Sequence, residues 1–569
     1  MISYLNYHYF MKRKNNSLII RFTFFLSTLT SYFFGLLFYD STSGLDFNTY
    51  IDHVKFNLGH DIEIYGATSN YYYYFISQVF YNDFSYLGPY NFKLVLNNSI
   101  QLVNFLLYLL GLSGLYCLFK MKDHSTKNIF LAFSILNFLP TAYYLRLTMK
   151  PEILAFALIS WSLVAIDSYL KKKNLINTLF VCLTLCTLLT IKASITGMVL
   201  VSFSIIYRKD LKKIIMDYKL VVINIFFGCI LFIQNFKITG KSFFSQPVQL
   251  ISQTNSKWDN TADLGFFTNL DVYNLIANPF KHLHADSFIS ITLLDTISDY
   301  FGFFWNHREF GNYIAYDRIE FTNNFLVQAF LPQYISIVFT IFFYISSLIF
   351  SFKYRDKLGY YLLPLFGIII LVINSLGIPS KNFDPSSGDL FKVHYYSFLF
   401  VISFVTILLT FYRNKHLVLI SFILVPLFLL SMGFPKSLSS QTQQELYFKY
   451  SHSEFCKLFN TKNQPDCNDS FIAVCSLDYL NIPYVKERFI PPTDAEKRLI
   501  TFEKNGNIVN TSSSNECMEL ISDGYQYFDE FKMLSINPNF GKVNNFVFGL
   551  IVILLFKKFL SILSIIRKT

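Results

Sequence analysis

The chain has 569 residues, 53% of them hydrophobic and only 15% charged, with a formal net charge of +11. A soluble protein carries about 25% charged residues, so one large soluble domain is excluded. Nucleic-acid binding is also disfavoured, because the lysines and arginines fall in small clusters between long apolar blocks, where they set orientation across a bilayer.

Apolar blocks of about 18 residues or more read as transmembrane helices, and backbone polar groups in lipid must be satisfied within the segment. The sequence therefore predicts an all-α polytopic membrane protein with about 12 transmembrane helices. The first lies near 17–39, after Lys12, Arg13 and Lys14, and no small-residue cleavage site follows, so it reads as a retained anchor. An outer loop, 40–93, comes next. Its stretch "LDFNTYIDH" puts Asp46, Tyr50 and His53 at helical spacing on one face, with Asp52 pointing elsewhere. Further along, "YYYYFISQVFY" at 71–81 is too short to span and predicts a helix lying in the membrane interface.

Spans near 94–119 and 129–147 lead to the turn "YYLRLTMKPEILAFAL". Here Arg146, Lys150 and Glu152 sit at the ends of two spans, and Pro151 suits the first turn of the second. Interfacial Arg and Lys also snorkel without any further role. Spans near 152–170, 175–191, 194–207 and 217–235 follow, with Lys192 in a tight turn against the positive-inside bias. In the outer loop 236–325, the short apolar run Ser287–Leu294 reads as a re-entrant or surface helix, followed by Asp295, Asp299, His307 and Arg308. Spans near 326–350 and 359–378 flank the next inner connection, and the turn-rich outer loop 379–392 leads to Lys392 and His394. Spans near 393–412 and 416–433 complete a membrane module over 1–433.

Residues 434–543 have ordinary polarity and predict a small extracytoplasmic domain before a last helix in 544–569. Cys456, Cys467, Cys475 and Cys517 all lie in it and suggest two disulfides, with a zinc site as the alternative. Cys117, Cys182, Cys186 and Cys229 lie in spans and read as packing residues. Counting from a cytoplasmic N-terminus, the clusters at Lys120–Lys127, Lys171–Lys173, Arg208–Lys213, Lys353–Lys357, Arg413–Lys415 and Arg567–Lys568 all fall inside.

The outer face thus gathers carboxylates from the first loop and cations from later ones. That pattern suits chemistry on a lipid-linked phosphate: cations, or a metal held by carboxylates, stabilise the leaving phosphate, and a carboxylate takes a proton from an acceptor hydroxyl or amine.

The acidic first loop with its "D...Y" pattern, the "KPE" turn, the "DTISDYFG" segment and "HYYSFLF" together resemble the C-type (GT-C) glycosyltransferases over about residues 17–430. These are polytopic enzymes that use polyprenyl-phosphate sugars. The resemblance implies a GT-C-like fold and a glycosyltransferase moving sugar from a polyprenyl-phosphate carrier to a glycan, lipid or protein acceptor at the extracytoplasmic face. It assigns Asp46 first and Asp52 second as catalytic residues. Arg146, Lys150, Lys192, Lys392 and His394 are candidates for the donor phosphate, and Glu152, His53 and Asp299 are further site candidates. The chain lacks the adjacent Asp-Glu pair of two branches of that superfamily and has Lys150 where many relatives have Arg; a divalent metal ion as cofactor is left open. The expected partners are the lipid-linked sugar and membrane lipid. A bacterial inner membrane is favoured as the location, with the endoplasmic reticulum as the alternative, where "NTS" at Asn510 would be an accessible sequon. A polysaccharide polymerase or ligase, or a lipid-linked glycan transporter, are the competing readings.

Overall fold

A computed structural model describes residues 19–33, 35–36, 41, 47–58, 70–87, 92–137, 139–239, 264–271, 272–277, 287, 289–290, 293, 338, 341–354, 361–362, 397–411, 500–511, 516, 519–520 and 522–527. Of these, 82% are helical. In chain order the main helices are α1 (Ile19–Phe33), α2 (Phe47–Asn57), α3 (Asn70–Leu87), α4 (Phe92–Met121), α5 (Thr126–Leu136), α6 (Pro140–Leu147), α7 (Glu152–Lys171), α8 (Leu175–Leu189), α9 (Ala193–Ile206), α10 (Leu211–Ile215) and α11 (Tyr218–Thr239). Later come α12 (Leu264–Thr268), α13 (Val272–Ala277), α14 (Ile341–Lys353) and α15 (Ser397–Phe411).

The helix boundaries have local causes. Asn174 caps α8 by accepting a hydrogen bond from the Asn177 amide at 2.9 Å. Ser125 does the same for α5, from Asn128 at 3.3 Å. Helix α7 follows Pro151, begins with Glu152 and ends with Lys171, charges that complement its dipole at both ends. The predicted span 129–147 is two helices, not one. Its break falls at Asn137–Leu139, because Pro140 has no amide to continue the ladder and disfavours helical geometry before it.

Helix α7 is the centre of the bundle and packs chiefly against α4 and α8. Two glycines let α4 approach it closely. A Cβ on Gly111 would lie 2.3 Å from Phe156 Cε1, and one on Gly114 would lie 2.8 Å from Ser160 Cβ. The Trp161 indole donates to the Leu110 carbonyl at 2.9 Å. Lys122 meets Asp167 one end further along, so α4 and α7 run parallel. Two helices, Val95–Met121 and Glu152–Lys171, are long and apolar enough to cross a membrane. The second, of 20 residues, is about 30 Å long, the thickness of a bilayer's hydrocarbon core. Around this centre, α1, α11 and α14 turn large apolar side chains outward, among them Phe22, Phe25, Val222, Phe226, Ile345 and Ile349.

Helix α3, expected in the membrane interface, packs its aromatic face on protein: Tyr72, Tyr73, Tyr74, Ile76 and Phe80 are buried where it meets α2 and α4. Cys117, Cys182 and Cys186 are buried and reduced, as packing residues should be, whereas Cys229 is exposed.

Within the predicted extracytoplasmic segment lies a three-stranded antiparallel sheet of order β2-β1-β3, built from β1 (Ile500–Lys504), β2 (Asn507–Thr511) and β3 (Gln526–Tyr527). The β1–β2 hairpin turns at Asn505 and Gly506, both at positive φ (52° and 82°), as a two-residue turn of twisted strands requires. Phe502 of β1 is buried. The predicted spans 416–433 and 544–565, and Cys456, Cys467, Cys475 and Cys517, lie outside the described residues.

Candidate functional site

The "KPE" turn between α6 and α7 is built into a buried polar frame. Arg146, the last basic residue of α6, is buried beneath it. Its guanidinium donates to Ser31 Oγ at 2.8 Å and to the Asn137 carbonyl at 2.7 Å, and lies 4.6 Å from the Tyr108 ring centre. The second of these contacts satisfies a carbonyl that the α5–α6 break leaves outside the helix ladder. Asn137 is held in turn: its side-chain amide donates to Ser27 and Thr28 of α1 at 2.9 and 2.8 Å, and its oxygen accepts from Tyr108 at 3.1 Å.

Asn104 of α4 joins this frame to the first loop. Its amide nitrogen donates to the carbonyls of Arg146 and Thr148, at 2.9 and 2.8 Å, and its oxygen accepts from the Tyr72 hydroxyl at 2.8 Å. One buried side chain therefore ties α3 to the stretch that precedes Lys150. Burial pushes the Tyr72 phenol well above its ordinary value; the Asn104 bond opposes that rise and the neighbouring Glu152 carboxylate adds to it. The phenol thus stays neutral and remains a donor.

Helix α2 reaches the same end through α3. His53 is fully buried and stacks on the Tyr73 ring at 4.4 Å, and Tyr50 stacks on that ring at 5.6 Å. Tyr50 and His53 thus share a face, as their spacing predicts.

Glu152 is the first residue of α7 and is 1% exposed. Its Oε1 pairs with Lys192 Nζ at 3.2 Å. Among the described residues its Oε2 is buried and has no hydrogen-bond partner. Lys192 caps the start of α9 and keeps 22% of its side chain exposed, so the pair has one dry and one wet member. This explains a lysine against the positive-inside bias: its counter-charge comes from a residue 40 positions earlier. Lys150 is buried in the same turn.

At the other end of α7 the picture is different. Asp167 Oδ2 pairs with Lys122 at 2.9 Å, and its Oδ1 accepts from the Tyr207 hydroxyl at 2.9 Å. Asp217, just before α11, accepts from the Tyr169 hydroxyl and pairs with Lys173 at 3.1 Å. Those contacts, the tyrosine's first, hold its carboxyl below the ordinary range, at about 2. The predicted inner clusters at Lys120–Lys127, Lys171–Lys173 and Arg208–Lys213 lie at this end, a helix length from Glu152.

Among the sequence candidates, the structure pairs Glu152 with Lys192, buries Lys150 in the same turn and Arg146 in the frame beneath it, and sets His53 on the helix pair docked beside them. Arg146 is turned inward to the frame rather than toward a ligand. Asp52 lies on α2, its side chain outside the described residues, as are Asp46, Asp299, Lys392 and His394 altogether. Sequence reasoning missed Asn104, Tyr72 and Asn137. The available signal was an amide inside each of two apolar helical runs, since polar groups there need partners. Among the described residues, no three His, Cys, Asp or Glu side chains are grouped to hold a metal ion. No protein-family model matches the chain, and no curated protein does.

Proposed function

We propose that this chain is a multi-pass membrane glycosyltransferase of GT-C-like architecture. It moves a sugar from a polyprenyl-phosphate carrier to a glycan, lipid or protein acceptor at the extracytoplasmic face of a bacterial inner membrane. In this reading the membrane module carries about 12 spans and the 434–543 segment is extracytoplasmic. The carrier phosphate is held by Lys150 and Lys192, with Lys392 and His394 from a later loop. Asp46, just before α2, takes the proton from the acceptor, with Asp52 second. The acceptor oxygen then attacks the anomeric carbon as the carrier phosphate leaves, inverting that centre. Arg146 serves as the frame under the turn.

The observation that carries the reading is the convergence at one end of α7. The first-loop helices α2 and α3 dock at the end where Glu152, Lys150 and Lys192 meet, a helix length from the lysine clusters that set orientation. Two helices of membrane-crossing length and composition, with apolar side chains turned outward on their neighbours, support a bilayer as the setting.

The test is transfer of radiolabelled sugar from polyprenyl phosphate by the purified full chain in liposomes, wild type against Asp46→Asn. Loss of about 100-fold or more is expected for a missing general base. An unchanged rate in Asp46→Asn removes Asp46 from the mechanism, and no transfer from any polyprenyl-phosphate sugar by the wild type ends the glycosyltransferase reading.

A further inference from the structure

A buried carboxylate oxygen with no partner is expensive, because it forgoes hydration without gaining a protein donor. Native proteins therefore rarely leave one, and Glu152 Oε2 is such an atom among the described residues. Among the described residues, nothing local removes the cost. The first-turn amides of α7 at Leu154 and Ala155 are taken by the Pro151 carbonyl, at 3.0 and 3.2 Å, so they do not turn to the carboxylate. The Tyr72 hydroxyl, near enough to feel the Glu152 charge, gives its hydrogen to Asn104 instead. Lys192 covers the other oxygen only.

The surrounding charge selects what could satisfy Oε2. Lys192 already meets the carboxylate through Oε1, and Lys150 is buried in the same turn, so a further cation, an ammonium group or a metal ion, is disfavoured as the missing donor. A neutral hydroxyl fits: it donates one hydrogen bond to the carboxylate and brings no positive charge. The lysines, for their part, favour an anion beside it. A ligand that carries both, an anionic group and a hydroxyl a few ångströms apart, matches the pair on both sides.

We infer that Glu152 is a sugar-reading residue: its Oε2 accepts a hydrogen bond from a ring hydroxyl of the carrier-linked sugar while the adjoining lysines hold the phosphate. The inference rests on the glycosyltransferase reading for its ligand and adds to it the residue that recognises the sugar. The exposed part of Lys192 marks the side from which the ligand arrives, and the buried carboxylate lies behind it.

The test is binding, measured by titration calorimetry on the full chain in detergent micelles. The probes are citronellyl phosphate and its glucosyl, galactosyl and mannosyl esters, so that tail and phosphate stay constant and only the sugar varies. In the wild type at least one glycosyl ester should bind about 10- to 100-fold more tightly than citronellyl phosphate, the worth of a hydrogen bond to a charged group. Glu152→Gln should erase that advantage while affinity for citronellyl phosphate holds or rises, because Lys192 loses its competing carboxylate. A merely structural role would lower both affinities together, and that result overturns the inference. Retention of the sugar advantage in Glu152→Gln overturns it as well. So does a wild type that binds citronellyl phosphate without preferring any ester. A wild type that binds no probe sinks the carrier-lipid reading itself. Should Glu152→Gln not fold, Glu152→Asp keeps the charge but withdraws the oxygens by one methylene, and the same loss of sugar preference is expected of it.

Discussion

At each end of α7 a carboxylate of the helix meets a lysine from elsewhere in the chain, yet the two ends solve the same electrostatic problem differently. At one end Asp167 engages both oxygens, one with Lys122 and one with the Tyr207 hydroxyl, and Lys122 is 40% exposed. At the other, Glu152 is nearly inaccessible, engages one oxygen with Lys192 and leaves the second without a partner among the described residues. The first is what a finished structural ion pair looks like. The second pays for burial without completing it, and under the proposal a ligand completes the set. Under the proposed function this contrast separates a stabilising end of the helix from a working one, although the sequence at both ends offers the same residue types.

Removing the lysine from each pair should separate them most sharply. Lys192→Met strands a buried charge, and about 3–5 kcal/mol of stability is expected to go with it, read by denaturant titration of the detergent-solubilised protein. Lys122→Met should cost about 1 kcal/mol or less, because the exposed partner contributes little and Tyr207 still serves Asp167. Adding Glu152→Gln to Lys192→Met should recover most of the loss, since the two side chains are directly coupled. Between the two ends, Gly111→Val should cost about 1–3 kcal/mol by forcing α4 away from Phe156, and the same titration checks it. Tyr207→Phe tests the finished end alone, and about 1 kcal/mol is expected for one hydrogen bond to Asp167. The smallest effect concerns pH at that end. Asp217 is held at about 2 when folded, below its ordinary 3.8, so its contribution is present above pH about 4 and is lost as pH falls toward 2. Thermal melts over that window should show a shallower decline in Tyr169→Phe than in the wild type, because the variant lacks the main cause of the depression.

Helix positions were readable wherever apolar runs end in charge. The predicted segment 152–170 is the observed Glu152–Lys171, and 175–191 is Leu175–Leu189. The α5–α6 break was not read, because Asn137 and Pro140 interrupt an otherwise apolar run by only a few residues, and the partners that stabilise the break come from α1, over a hundred residues earlier. Helix α3 was readable as a helix but not in its surroundings: an aromatic face has the same periodicity against protein as against lipid, and only Asn104 and α2 decide between them. The Asn505–Gly506 turn is legible in its dipeptide, whose flanking residues carry the hairpin. For the candidate site, the sequence named Arg146, Lys150, Glu152 and Lys192 but gave them no pairing. That Lys192 answers Glu152, and that Arg146 answers Asn137 and Ser31, depends on which helix ends are neighbours, and no local spacing carries that information.

The most direct measurement of the central claim compares the two acids of α7 in one transfer assay, per unit of folded protein. Glu152→Gln is expected to lower the rate of sugar transfer from polyprenyl phosphate by about tenfold or more, and Asp167→Asn to leave it within about twofold. Equal rates for the two variants, or a larger loss in Asp167→Asn, would contradict the assignment of the working end.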